Sequence, residues 1–136
     1  MTATDFKVII AGSRSITEYS WVKTVVDSLL EPKLSDPTVN VVIVSGTARG
    51  VDQLAIRYAN EKNLQCIEMP ANWDLYGKSA GYRRNVDMSN IADAAICLSR
   101  NQSKGTQHMF NIMKTQGKPV IMIDADTGEQ SLFDPE

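Results

Sequence analysis

Apolar residues are unevenly spread along this chain. Five short runs, at residues 6–11, 39–45, 65–69, 94–98 and 120–123, are rich in β-branched and other apolar side chains. The second and fifth are nearly continuous Val, Ile and Met, with little alternation between two faces. A strand reads that way when both faces of its sheet are covered, as in a buried parallel sheet. Between the runs the period changes. Trp21, Val22, Val25, Val26, Leu29 and Leu30 share one helical face, as do Val51, Leu54, Ala55, Tyr58 and Ala59. A less regular stretch at 80–91 predicts a third helix. A fourth starts at Thr106, a good N-cap, and stops at Gly117, a good residue just past a helix end, with Pro119 behind it. The order βαβαβαβαβ predicts an α/β fold with a five-stranded parallel sheet and helices on both faces. Val41, Ile43, Ile96 and Ile121 are expected in its core. Residues 31–40, with Pro32 and Pro37, predict a surface connection. Residues 127–136 lack periodicity and predict a loose end. Without an internal repeat or a second domain, the pattern gives one domain over 1–124 and a tail over 125–136.

Composition narrows the class. Of 136 residues, 43% are hydrophobic and 22% charged, which excludes a disordered, collagenous or coiled-coil chain. No apolar run approaches the ~20 residues of a membrane span. The first residues enter a strand pattern directly, with no signal-peptide arrangement, so a cytoplasmic protein without membrane association is expected. The net charge is −2, but five acids (Asp124, Asp126, Glu129, Asp134, Glu136) fall in the last thirteen residues, which hold no base. The remainder carries 14 basic and 11 acidic side chains. A mildly basic body with an acidic tail suits an anionic ligand but lacks the basic excess of a protein that coats nucleic acid. Cys66 and Cys97 both lie in apolar runs and read as reduced core thiols. With one histidine and no zinc spacing, no metal is expected.

In open α/β sheets, ligands bind beyond the carboxyl ends of the strands. After the first run comes Ala11-Gly12-Ser13-Arg14-Ser15. Gly12 permits a sharp turn and close approach, Ser13 and the following amides can donate, and Arg14 can clamp a phosphate. The dinucleotide fingerprint G-x-G-x-x-G is absent. After the second run, Ser45-Gly46-Thr47-Ala48-Arg49-Gly50-Val51-Asp52 leads into an amphipathic helix and suits a backbone nest for phosphate. It is not a Walker loop, because no G-K-[ST] follows. Asp52 has two readings, helix-dipole partner or contact to a ribose or metal, and Arg49 can reach a ligand or pair with Asp52. The long segment after the third run holds Trp73, Asp74, Tyr76, Lys78, Tyr82, Arg83, Arg84 and Asn85. It reads as a surface for base stacking and phosphate contact, or as an apolar plug and a solvated helix start. After the fourth run, a polar loop delivers Gly105-Thr106 to a helix N-terminus. His108 follows with no carboxylate or cysteine beside it to complete a nucleophilic triad.

The string VVIVSGTARGVDQLAIRYA, with AGSR before it and NWDLYGKSAGYRRNVDM after it, resembles the YspA-type, YpsA-related branch of the SLOG superfamily. That resemblance runs from about Phe6 to Ile123. It implies a Rossmann-like, doubly wound fold that binds nucleotides or their derivatives. It also implies binding positions at Gly12, Ser13, Arg14, Ser45, Gly46, Arg49, Gly50, Asp52, Lys78, Arg84, Asn85, Gly105 and Thr106. From their place in the aromatic loop, Trp73 or Tyr76 is expected to cover the base. Phosphoribohydrolases of the superfamily carry P-G-G-x-G-T-x-x-E. Here the stretch reads NQSKGTQHM, and Met109 stands in the place of the catalytic glutamate. Glu68 and Asp74, the nearest other acids by loop position, do not occupy that place. The resemblance therefore implies a non-enzymatic sensor, carrier or sequestering protein, pairing with itself through helix faces. The alternatives are a hydrolase of a nucleotide derivative, or a single-stranded DNA binder akin to DNA-processing proteins, whose S-G-x-A-x-G-[IV]-D string matches Ser45 to Asp52.

Overall fold

A computed structural model describes residues 3–135; Met1, Thr2 and Glu136, the last of these within the predicted tail, lie outside the described residues. The elements run β1 (Thr4–Gly12), α1 (Tyr19–Leu34), β2 (Val39–Ser45), α2 (Val51–Glu61), β3 (Gln65–Glu68), α3 (Trp73–Tyr76), a 3₁₀ turn (Gly77–Ser79), α4 (Ala80–Ile91), β4 (Ala94–Ser99), α5 (Lys104–Thr115), β5 (Val120–Asp124) and β6 (Gln130–Phe133). They form one sheet in the order β3-β2-β1-β4-β5-β6. All pairings are parallel except β5 with β6. The chain first winds outward from β1 to β3, then returns through α4 to the other side of β1. Helices consequently cover opposite faces: α1 and α2 pack with Val8, Ile10, Val41, Ile43, Ile96 and Leu98, and α4 and α5 pack with Ile9, Val44, Ala95 and Cys97. This double cover is why β2 is buried from Val41 to Ser45 with no alternation.

The sheet thus has six strands rather than the expected five. Asp124 makes the difference. Its carboxylate accepts from the amides of Asp126 (2.8 Å) and Thr127 (3.0 Å), and Gly128 turns the chain with φ +75°. The reversal lays residues 130–133, expected to be loose, antiparallel on β5. Ile121 is also only half-buried. On its face the helices lie over β1 to β3, and its neighbour across the pair is the exposed Leu132.

Two helix boundaries differ from expectation, the end of α1 and the start of α5. Helix α1 continues through Pro32 to Leu34, because a proline in the last turn forfeits only one amide bond and the Ser35 amide still bonds Glu31 (3.0 Å). The same helix begins at Tyr19, three residues beyond the buried Ile16, so its N-terminus stands away from the end of β1. Helix α5 is capped by Ser103, whose hydroxyl accepts from the Thr106 amide, so Thr106 lies inside the first turn. Both cysteines are free; Cys97 is buried and Cys66, on the narrow strand β3, is half-buried.

Candidate functional site

The chain reverses its winding between β1 and β4, where ligands of open α/β sheets bind. Gly12 lies directly opposite Leu98 at this point, and the loops beyond then diverge to opposite faces. Between them opens a cleft of about 420 Å³. Of the predicted residues, Gly12, Ser13, Arg14, Asp52, Arg84, Asn85, Gly105 and Thr106 line it. A smaller adjoining cleft, about 250 Å³, shares Arg14, Arg84, Asn85 and Gly105 and adds Trp73, Lys78 and Tyr82. Ser45, Gly46 and Gly50 stand behind this surface, and the exposed Arg49 lines neither cleft.

Backbone packing explains the glycine at the end of β1. A Cβ on Gly12 would meet the Leu98 carbonyl and lie 2.7 Å from Val51 Cγ2. Ser13 then fastens the two sides of the cleft. Its hydroxyl accepts from the Arg100 amide (2.8 Å) and donates to the Arg100 carbonyl (3.1 Å), 87 residues away. Its own carbonyl accepts from the Val51 amide at the start of α2 (3.4 Å).

The loop after β2 has the composition of a phosphate nest, but its amides turn inward. Thr47, at φ +67°, donates to the Ser45 hydroxyl (3.2 Å), and Ala48 donates to Asp52 Oδ2 (3.2 Å). The Gly12 amide also faces the Asp52 carboxylate and favours its charged form. Asp52 is 5% exposed, and burial pushes its pKa up to about 6, opposed by Arg84, by these amides and by Arg14. The carboxylate faces Arg84 and Arg14 rather than Arg49, which decides the pairing that the sequence left open.

Arg84 is half-buried. It donates through Nη1 to the Gly46 carbonyl and through Nε to Asn85 Oδ1 (3.1 Å). Its pKa is lowered by burial first, with the positive charge of Arg14 adding to the effect. Arg14 makes no hydrogen bond or ion pair among the described residues. Two guanidinium groups from loops 70 residues apart in the sequence thus meet over one buried carboxylate. Facing them is the N-terminus of α5. Ser103 satisfies the Thr106 amide with its hydroxyl and the Gln107 amide with its carbonyl. The amides of Lys104 and Gly105 precede these and have no partner within the helix. Around Gly105 nothing lies within 4 Å of where a Cβ would stand, so an anion can approach this positive helix end closely.

Sequence reading missed Arg100. It lines the cleft but is held by Glu18 (2.8 Å) and Asp126 (3.1 Å), tying the loops after β1, β4 and β5 together. Its one signal was its place just after a predicted strand. Beside it, Asn101 (φ +56°) and Gln102 (φ +52°) are both left-handed, a conformation that non-glycine residues hold only where their surroundings impose it. Met109 is fully buried, and Glu68 and Asp74 line neither cleft. Among the described residues no three His, Cys, Asp or Glu side chains are grouped to hold a metal ion, and no helix is long and apolar enough to cross a membrane.

Comparison with known proteins agrees with this architecture. DNA processing protein A (DprA) from Streptococcus pneumoniae superposes with a TM-score of 0.69 over 90% of the chain, at 19% identity. The chain spans about half of that protein's length (51%). Helicobacter pylori DprA, whose solved structure addresses its single-stranded DNA binding mode, superposes with a TM-score of 0.59 over 96% of the chain and 69% of its own, at 21% identity. At such identities the likeness is one of fold. In sequence, the Gene 61 protein of Mycobacterium phage D29 is 31% identical over 121 residues, covering 85% of this chain and 94% of that protein. The pattern of the YspA, cpYpsA-related SLOG family matches residues 6–76, just over half of the chain, and to that family the protein belongs.

Proposed function

We propose that the cleft between β1 and β4 binds the phosphate of a nucleotide or nucleotide derivative, and that the protein acts as its sensor, carrier or sequestering partner. One observation carries this reading: the unpartnered Arg14 converges on Arg84 above a carboxylate already held by backbone amides. One carboxylate beneath two guanidinium groups leaves an excess positive charge, and a phosphate accepting from both would form charge-assisted hydrogen bonds. The N-terminus of α5 adds a favourable dipole. Trp73, 51% exposed in the adjoining cleft with Lys78, supplies a face for a base. Glycosidic-bond cleavage would need an acid free to transfer a proton beside the departing base. Met109 has none, and the buried carboxylate of Asp52 is engaged by the Ala48 amide and faces the Gly12 amide. Native mass spectrometry of freshly purified protein should reveal a co-purified nucleotide, and incubation with nucleoside monophosphates should release no free base. Release of base, or absence of affinity for every nucleotide tried, would refute the reading.

A second reading is favoured by the segment 73–84. Trp73, Tyr76 and Tyr82 are exposed there beside Lys78 and Arg83, an arrangement suited to stacking and backbone contact with single-stranded nucleic acid. The fold shared with DprA points the same way. If Arg14, Lys78 and Arg84 each neutralise one phosphate, affinity for a labelled oligothymidylate should fall with salt at a log–log slope of about −2. A flat salt response would exclude this reading.

A further inference from the structure

Beside the phosphate cleft lies a larger one, about 690 Å³, over the carboxyl ends of β4 and β5. Ser103, the cap of α5, lines both. A hydrogen-bonded chain also joins them. Arg84 Nε donates to Asn85 Oδ1 (3.1 Å), and Asn85 Nδ2 reaches His108 Nδ1 (3.2 Å) and the Gly105 carbonyl (3.3 Å). An amide nitrogen only donates, so His108 Nδ1 accepts and the ring proton sits on Nε2, a donor at the edge of the larger cleft. The ring of Tyr82 meets His108 edge-on at 4.5 Å and fixes its plane. Burial lowers the His108 pKa, which favours the neutral ring.

The chemistry of this second cleft is opposite to that of the first. Asp124 and Glu129 face into it against one lysine, Lys104, with Asn111 and Ser131 beside them. Both carboxylates repel further phosphate. Asp124 Oδ1 is held by the Asp126 and Thr127 amides, so Glu129 is the carboxylate placed to accept from vicinal hydroxyls, with amide and hydroxyl side chains to complete the set. Glu129 and Asn111 are exposed; Asn111 Oδ1 accepts from Gln107 Nε2 (3.0 Å), which leaves its Nδ2 to donate to a hydroxyl.

We propose that the second cleft is a sugar subsite, and that the ligand is a nucleoside diphosphate carrying a terminal sugar. The diphosphate would lie between Arg14, Arg84 and the start of α5, the base toward Trp73, and the sugar against Glu129, Asn111 and His108. This assignment rests on the phosphate-binding reading of the first cleft. Calorimetry on the full chain tests it, with inorganic phosphate, ADP, UDP, ADP-ribose and UDP-glucose as probes. At least one sugar conjugate should bind about tenfold or more tightly than its parent diphosphate. Glu129→Ala and Asn111→Ala should each erase most of that gain, leave the parent diphosphate within about twofold, and leave the melting temperature unchanged. Equal affinity of conjugates and parents, or gains that survive both substitutions, would overturn the sugar subsite while the phosphate reading stands. Failure of ADP, UDP and phosphate alike would overturn both.

Discussion

The loop after β2 carries Gly46, Thr47 and Gly50 ahead of α2, and the loop after β4 ends at Ser103, the cap of α5, with Gly105 in that helix's first turn. Both look like phosphate cradles on paper. In the first, the Ala48 amide is bonded by Asp52, the Thr47 amide by Ser45, and the start of α2 by the Ser13 carbonyl. A Cβ on Gly46 would come 2.5 Å from Arg84 Nη1 and 2.8 Å from Asp52 Oδ2. The second keeps open space at Gly105 and faces the converging arginines. One loop is therefore filled by the protein's own carboxylate, while the other is free to take an external anion. Glycine content does not separate them; what the neighbouring side chains do with the amides does.

The sharpest break of this comparison is Gly50→Ala. Gly50 sits at φ +78°, and a Cβ there would meet the Ser13 carbonyl and lie 2.6 Å from Arg14 Cα. Left-handed strain of ~1–2 kcal/mol and overpacking of ~1–3 kcal/mol combine, so a loss of about 3–4 kcal/mol is expected in urea unfolding. A loss below ~1 kcal/mol would show that the loop after β2 is not sealed as described.

Asp52→Asn probes the filling carboxylate itself. Its pKa rises from 3.8 to about 6 on folding, so between these values the native protein holds a proton that the unfolded chain has released. The contribution is fully present below pH ~4 and is lost as pH rises to ~6, amounting to about 3 kcal/mol for a shift of about two units. Carboxylates with lowered pKa, such as Glu18, Asp27 and Asp124, act in the opposite sense, losing stability as pH falls toward their folded values. Unfolding of wild type and Asp52→Asn across pH 4–7 should differ by this slope. Parallel curves would move the titration to another group.

Arg84→Ala and Arg49→Ala separate the arginine inside the cleft from the one outside it. Removing a charge-assisted hydrogen bond of ~1.5–3 kcal/mol should weaken nucleotide binding ~10–150-fold for Arg84, and less than about twofold for Arg49. Equal losses would place the anion between the two loops rather than beside α5.

The smallest effect on stability is expected at the open loop. Gly105→Ala fills no occupied space and replaces a glycine inside a helix, so stability should change by less than ~1 kcal/mol, in the stabilising direction. Nucleotide affinity should nevertheless drop, because the new methyl group occupies the approach to the helix end. Calorimetry and urea unfolding on the same variant would show the two effects moving apart; unchanged affinity would remove Gly105 from the binding surface.

Much of this was readable in the residues. Continuous Val and Ile at 41–44 require a strand covered on both faces, and the period of 51–59 requires an amphipathic helix, because burial of apolar area does not depend on which partner provides the cover. Turns and motifs placed the candidate residues at strand ends for the same local reason. Strand β6 was not readable: its four residues are largely exposed and carry almost no hydrophobic pattern, so only pairing with β5 defines it. Nor was the passage of α1 through Pro32, since the proline sits in the last turn, where one missing bond is tolerated.

By itself, then, the sequence determined the alternation of elements and the strands β1 to β5, which follow from short-range periodicity, and placed glycines and cations at their carboxyl ends. Tertiary structure alone decided which cations meet. It set Asp52 facing Arg84 and left Arg49 outside, locked Ser13 to Arg100, and linked Asn85 to His108. These partners lie 23 to 87 residues apart. No local pattern encodes such distances, because hydrogen-bond partners and desolvation are set by where the folded backbone delivers each side chain.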